Sequence, residues 1–263
     1  MDGIAQARAT LDYAHAQLQQ LLADISTWCR TEPKPYGVVS EIDFKQRQQV
    51  FRFVIFRDPP PDWAHRMRGI SNDFRSALNY AIRACADPVT DEVNFPIYRV
   101  EREYRRVGKG RRGRDRRSPR ERYLTNVPEH IRQVVDAWQP YQRGNDADSH
   151  PLAGLADLTN TSKHAQLGTA FVAAHGGNIV LTPLPPAKLL SAALLIPGKC
   201  LYDGMEVARV FAIDPPSGKV IIQGDASIEI AFGEPGIPAS DVLSIGRDVV
   251  KIVEHLDAAR RPA

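Results

Sequence analysis

Asn160, Lys163 and His164 stand at i, i+3 and i+4 within the stretch LTNTSKH, the spacing that sets three side chains on one face of a helix. A histidine can take or deliver a proton near neutral pH, a lysine can stabilise a developing negative charge, and an asparagine can orient a reacting group. Together they could serve phosphodiester chemistry without a metal, or equally form a polar face that docks on another helix. Arg75 is the second residue with chemical capacity. In the stretch NDFRSALNY it falls at the edge of an apolar helical stripe, with Asn72 and Asn79 about one position further round. From there a guanidinium can hold phosphate or carboxylate in a forked hydrogen bond, or pair structurally with an acid on a neighbouring helix.

The densest charge lies elsewhere. Residues 101–122, EREYRRVGKGRRGRDRRSPRER, hold eleven Lys/Arg against four acids, whereas the whole chain has 34 basic and 31 acidic residues, so the remainder is net acidic. Basic character concentrated in this way points to polyanions, nucleic acid first among them. Arg105, Arg106, Lys109, Arg111, Arg112, Arg114, Arg116, Arg117 and Arg120 are the candidate phosphate contacts. The run has no apolar periodicity and contains three glycines, which predicts a mobile loop rather than a helix. Tyr104 is its single aromatic residue, so binding through base stacking is not indicated.

Other chemistries find little support. The chain has no phosphate-binding glycine-rich loop, no HExxH and no GxSxG. Its seven histidines show no metal-ligand spacing. Asp146, Asp148 and His150 alternate in a Gly/Asn/Asp-rich stretch and read as a solvated turn before a cation site. Cys29, Cys85 and Cys200 are far apart with no CxxC, which suggests neither a disulfide framework nor a zinc site. No metal and no cofactor is expected. The polar N-terminus lacks a signal core, and the longest apolar window, residues 189–197, is too short to span a bilayer. The expectation is a cytoplasmic protein without membrane association.

Elements must position these groups. Ile4, Ala7, Leu11, Ala14, Leu18, Leu21, Ile25 and Trp28 alternate at spacings of three and four, one stripe down a long first helix. His15 sits at its edge and reads as a core-edge histidine. Residues 36–44 and 49–56 alternate as strands and predict a hairpin turning at 45–47. A helix follows over 62–86, a short one over 129–138 and another over 151–167. Residues 169–174 and 178–183 flank His175-Gly176-Gly177, a hairpin signature. Strands are predicted at 206–213, 219–223 and 227–232, with Pro215-Pro216-Ser217-Gly218 as a turn. A last helix opens at Ser240 as N-cap. The order predicts an α+β protein. A helical half, 1–167, carries the inserted hairpin (36–56) and the basic loop (101–122). An antiparallel β-rich half, 168–263, is closed by the C-terminal helix, and the two halves could form one continuous domain.

Several short motifs recur in a familiar order. Arg75-Ser-Ala-Leu-Asn-Tyr80, Asn94-Phe-Pro-Ile97, Gln139-Pro-Tyr141 and Leu158-Thr-Asn-Thr-Ser-Lys-His164 resemble a widespread bacterial and phage family with no assigned activity. Its members read "HNLRSALDH", "FPI", "QPY" and "LSNIDKHR". Asp203-Gly-Met-Glu-Val-Ala-Arg209 and Ile230-Ala-Phe-Gly233 are similar to that family's later strands. More distantly, the Arg75 helix resembles the R-x4-H helix of HEPN domains, many of them metal-independent ribonucleases acting as dimers. That resemblance implies Arg75 on the scissile phosphate and His164 moving protons, aided by Lys163 and Asn160. This sequence departs from the pattern: Tyr80 stands in place of the histidine, Asn79 of the acid, Asn72 of a further histidine and Ala165 of an arginine. The functional expectation is therefore a non-catalytic protein whose basic loop binds nucleic acid or another polyanion. The alternatives are a HEPN-like RNA phosphodiesterase and a partner-binding protein that forms a homodimer through its first helix.

Overall fold

Burial follows the stripe on the first helix. In the computed structural model, which describes residues 2–43, 45–46, 48–109, 115–164, 169–173, 179–183, 189–194, 200–212, 220–224, 228–233 and 236–261, α1 (Gly3–Cys29) buries Ile4, Ala7, Leu11, Ala14, Leu18, Leu21 and Ile25. Trp28 ends the stripe half-buried. These side chains are buried within the chain.

A hairpin follows as expected: β1 (Tyr36–Asp43) and β2 (Gln48–Ile55) pair antiparallel, Tyr36 opposite Ile55 and Asp43 opposite Gln48. Next come α2 (Asp62–Arg83), α3 (Glu101–Arg105), the two-residue strands β3 (Gly108–Lys109) and β4 (Asp115–Arg116), α4 (Pro119–Tyr123) and α5 (Glu129–Ala137). A 3-10 segment (Pro140–Ser149) leads into α6 (Pro151–His164). The later strands are β5 (Thr169–Ala173), β6 (Ile179–Pro183), β7 (Leu189–Leu194), β8 (Cys200–Leu201), β9 (Glu206–Ala212), β10 (Val220–Gly224), β11 (Ile228–Phe232) and β12 (Ile237–Pro238), and α7 (Ala239–Arg260) ends the chain. The protein is thus mixed helix and sheet, with small antiparallel sheets and a C-terminal helix. Among the described residues no helix is long and apolar enough to cross a membrane.

Strand pairing departs from sequence adjacency. β5 and β6 do not form the expected hairpin with each other: β5 lies between β11 and β8, and β6 pairs with β10. The His175-Gly176-Gly177 and Pro215–Gly218 turns lie outside the described residues. A turn signature specifies local reversal only, and partner choice follows which apolar faces can be buried together. The first hairpin likewise gains a distant partner: β2 pairs with β9, and β9 with β7, giving the order β1-β2-β9-β7.

Two compact units result, neither contiguous in sequence. One comprises residues 1–21, 64–167 and 240–263; the other comprises 22–63 and 168–239. The hairpin thus belongs with the later strands, and the C-terminal helix with the earlier helices, instead of dividing at residue 167. In the helical unit, α7 buries Val242, Ile245, Val249, Ile252, Val253 and Leu256, and α2 buries Met67, Ile70, Phe74, Leu78 and Ile82. His15 packs edge-on against Phe74, ring centres 5.3 Å apart, the core-edge role its position suggests. A Cβ on Gly246 would fall 2.7 Å from His15 Nε2 and 2.9 Å from Phe74 Cζ, so α7 approaches α1 and α2 this closely only because glycine stands there.

In the β-rich unit Phe53 is fully buried, and Phe51, Ala208 and Val210 form a small core. The segment Asp203–Arg209 fastens the sheet. Gly204 turns the chain at φ 75° and donates its N–H to the Phe53 carbonyl, and Asp203 Oδ1 accepts from the N–H of Ile55. Arg209 forks onto both carboxylate oxygens of Glu206 at 2.7 Å, a bidentate pair that matches guanidinium geometry.

Candidate functional site

Three of the motif segments converge in the helical unit. One turn beyond Arg75 on α2, Asn79 Oδ1 accepts the N–H of Phe95 at 2.9 Å. One further turn on, Arg83 Nε donates to the Val93 carbonyl. Gln139, fully buried, accepts the N–H of Tyr98 on Oε1 (3.0 Å) and donates through Nε2 to the carbonyls of Pro96 and Val135. The N–H of Tyr141 returns to the Tyr98 carbonyl, and Asn94 donates its N–H to the Tyr123 carbonyl. Residues 94–98 are thereby held between α2, the end of α4 and the 3-10 segment. Side-chain amides suit this task, because one Asn or Gln can stand in for missing backbone partners of an extended segment.

Arg75 is half-buried. Desolvation lowers its pKa to about 10, and the neighbouring groups whose charge it feels are the phenols of Tyr123 and Tyr98. Among the described residues no carboxylate pairs with it and no hydrogen bond to it is seen. Tyr98 and Tyr123 are themselves half-buried, and burial raises the Tyr98 phenol above its ordinary range. Tyr98, Tyr104 and Tyr141 form a file of rings with centres 5.3 and 5.8 Å apart. Arg122 lies over the Tyr123 ring at 5.3 Å. The participation of Tyr98 and Tyr123 was invisible in sequence, since neither has helical or strand spacing to Arg75.

The second helix group is only partly defined. Arg99 binds Asp157 of α6 at 2.5 Å and the Ala153 carbonyl at 3.1 Å, which joins the Tyr98 segment to that helix. Asn160, one turn after Asp157, is exposed. The backbone stays helical to His164, so the i, i+3, i+4 relation to Lys163 and His164 holds; the side chains of those two residues lie outside the description.

The basic run is not the single loop expected. Its ends are helical, α3 and α4, and between them β3 and β4 pair Gly108 with Arg116 and Lys109 with Asp115. The local reason for α4 is a complete capping box. Ser118 accepts the Glu121 N–H while the Glu121 carboxylate accepts the Ser118 N–H, with Pro119 at the first helical position. Three of the expected phosphate contacts are used within the fold. Arg120, Arg105 and the Tyr104 hydroxyl all meet Asp136, Arg120 also holds Glu129 at 2.7 Å, and Arg117 holds Glu92 at 2.7 Å. Arg106 is exposed and without a described partner. Residues 110–114, with Arg111, Arg112 and Arg114, and the side chains of Lys109 and Arg116 lie outside the description.

The Asp146, Asp148 and His150 side chains do not gather into one cluster. Asp148 lies 2.8 Å from Arg99 Nε, and His150 is buried, its Nδ1 accepting the N–H of Leu152 at the start of α6. Among the described residues no cluster of metal-ligating side chains occurs. Burial depresses the His150 pKa, the nearby Arg143 adds to this, and Asp248 opposes it. A depressed histidine contributes stability that is complete above the unfolded value of about 6.5 and is lost as pH falls through the folded pKa. Stability is therefore expected to decline as pH drops below about 6.5, as a series of urea melts from pH 8 to 5 would register. His150→Asn keeps an N-cap acceptor but cannot titrate, so it should remove this component of the acid sensitivity. His150→Ala should cost about 1 kcal/mol even at pH 8, through loss of the cap.

No family model matches the chain. No curated protein matches it in sequence, and no solved structure matches it in fold.

Proposed function

We propose that this protein binds nucleic acid, or another polyanion of similar charge density, through the β3–β4 ribbon, and that this role is non-catalytic. The observation that carries the reading is the division of labour within residues 101–122. Arg105, Arg117 and Arg120 anchor the base of the ribbon to Asp136, Glu129 and Glu92. The intervening residues 106–116 hold six Lys/Arg against the single acid Asp115. A two-stranded ribbon is narrow enough to enter a duplex groove, and phosphate contacts from such a segment favour binding with little dependence on sequence. The resemblance to the bacterial and phage family is part of this reading, since its RSAL, FPI and QPY segments are those that build the scaffold beside the ribbon.

The test is binding of labelled duplex DNA and RNA at two salt concentrations. The intact protein is compared with a variant in which Arg106, Lys109, Arg111, Arg112, Arg114 and Arg116 are all replaced by Gln. Binding by the intact protein should weaken steeply with salt. If all six cations meet phosphates, the neutralised variant should lose a slope of roughly five in log K against log salt. Unchanged binding by that variant would remove the ribbon from the proposal. The nucleic acid is examined intact on a gel in the same experiment, and cleavage that disappears in His164→Ala would replace this reading with the ribonuclease.

A further inference from the structure

We propose that this protein forms a two-fold dimer through the free edge of β1, independently of whether the ribbon binds nucleic acid. β1 ends the sheet order β1-β2-β9-β7, and among the described residues no strand lies on its other side. The ladder shows which of its backbone groups are left over. Phe56 gives its N–H to the Pro35 carbonyl, whereas Phe53 turns the other way, giving its N–H to the Met205 carbonyl and accepting the Gly204 N–H. Val38 stands opposite Phe53, Ser40 opposite Phe51 and Ile42 opposite Gln49. Hydrogen-bonded and non-hydrogen-bonded pairs alternate along an antiparallel ladder, so Val38, Ser40 and Ile42 direct their N–H and C=O groups away from β2.

Edges of this kind are ordinarily blunted by shortness, lysine, proline or a bulge. β1 has none of these: it runs eight residues, YGVVSEID, in unbroken register with β2. Its middle, residues 38–41, is exposed, Val38 by 47% and Val39 by 41%. On the face that carries Val39, Phe56 continues the apolar surface. It is 62% exposed, and its Cε2 lies 2.9 Å from where a Cβ on Gly37 would stand.

The strand's own sequence selects a second copy as the occupant. Antiparallel self-pairing about Val39 sets Val39 against Val39, Val38 against Ser40 and Tyr36 against Ile42. The two Val38–Ser40 pairs exchange backbone hydrogen bonds, and the Val39 pair falls at a non-hydrogen-bonded position, where side chains approach most closely. Glu41 meets Gly37, so the Glu41 positions of the two copies stay about 14 Å apart along the strands. Any other register must differ by two residues to keep each face in place. Centring on Ser40 would put the two Glu41 side chains on a diagonal, like charge near like, and centring on Val38 would shorten the ladder. The result is one continuous sheet from β7 of one copy to β7 of the other.

Sedimentation velocity on the full chain over a dilution series should show a dimer that dissociates to monomer. Val38→Pro deletes an N–H that β2 does not use, a change a sheet edge tolerates. Val39→Lys sets like charges face to face at the two-fold axis. Each should raise the dimer dissociation constant about tenfold or more, with the circular dichroism of the monomer unchanged. Register is read by cross-linking in oxidised glutathione. Val39→Cys places thiols on paired residues with Cα atoms about 4.5 Å apart, within disulfide range, and should give a covalent dimer; Glu41→Cys and the unsubstituted chain should not. The proposal is overturned if the chain is monomeric throughout the series, which would leave the edge to a strand from a different protein. It is overturned equally if the dimer survives both Val38→Pro and Val39→Lys, or if Glu41→Cys cross-links and Val39→Cys does not.

Discussion

Asp136→Ala should destabilise the helical unit by about 3 kcal/mol, the low end of the range for breaking a largely buried ion pair. The Asp136 carboxylate receives the Tyr104 hydroxyl at 3.0 Å and Arg120 Nε on both oxygens at 3.1 and 2.9 Å, with Arg105 at 3.4 Å. Asp136 and Arg120 each expose only 13% of their side chains. Tyr104 is fully buried, and burial together with Asp136 holds its phenol well above its ordinary range, so its proton stays on and donates. Removal of the carboxylate leaves a buried hydroxyl and a nearly buried guanidinium with, among the described residues, only Glu129 to answer it. Glu129 is 58% exposed and hydrated, so it compensates weakly. Urea unfolding followed by circular dichroism measures the loss. A double-mutant cycle with Arg120→Met decides its origin: the double variant should be less destabilised than the sum of the two single ones, because an apolar side chain leaves no orphaned charge. Strict additivity would show that the pair is not coupled and that the ribbon's base is held by something else.

Gln139→Ala should be nearly as damaging, about 3 kcal/mol. Its amide makes three hydrogen bonds at a position with no solvent exposure. Truncation orphans the Tyr98 N–H and the Pro96 carbonyl, each costing about 1–3 kcal/mol when buried, and opens a cavity as well. Gln139→Met keeps nearly all the volume and isolates the hydrogen-bond share of the loss.

How much of this was legible varies by element. The stripe on α1 and the apolar stripe of α2 beside Arg75 were plain, because a 3.6-residue period over several turns leaves one packing solution. The β1–β2 hairpin was plain for the same kind of reason, alternation plus a short turn. The partner of β2 was not: β9 lies more than 150 residues away, and alternation states which face is buried but not against what. The basic run was misread as one loop. Its polar composition hid a capping box at Ser118 and Glu121 and, more consequentially, the acids on α5 and near Glu92 that claim three of its arginines. Asp136 stands seven residues after Glu129 on one helix face, a spacing that could have marked α5 as a receptor for arginines.

Arg75 shows the boundary most clearly. By itself the sequence determined that an arginine sits at the edge of an apolar helix face, that an Asn lies one turn on, and that a basic cluster lies downstream. Those are properties of local periodicity and composition, which need no knowledge of what packs where. Whether Arg75 would meet an acid or remain unpaired, and which arginines of the run would be spent holding the fold, was decided only by tertiary structure. Desolvation and charge pairing depend on distances between groups far apart in the chain, and no local pattern contains them.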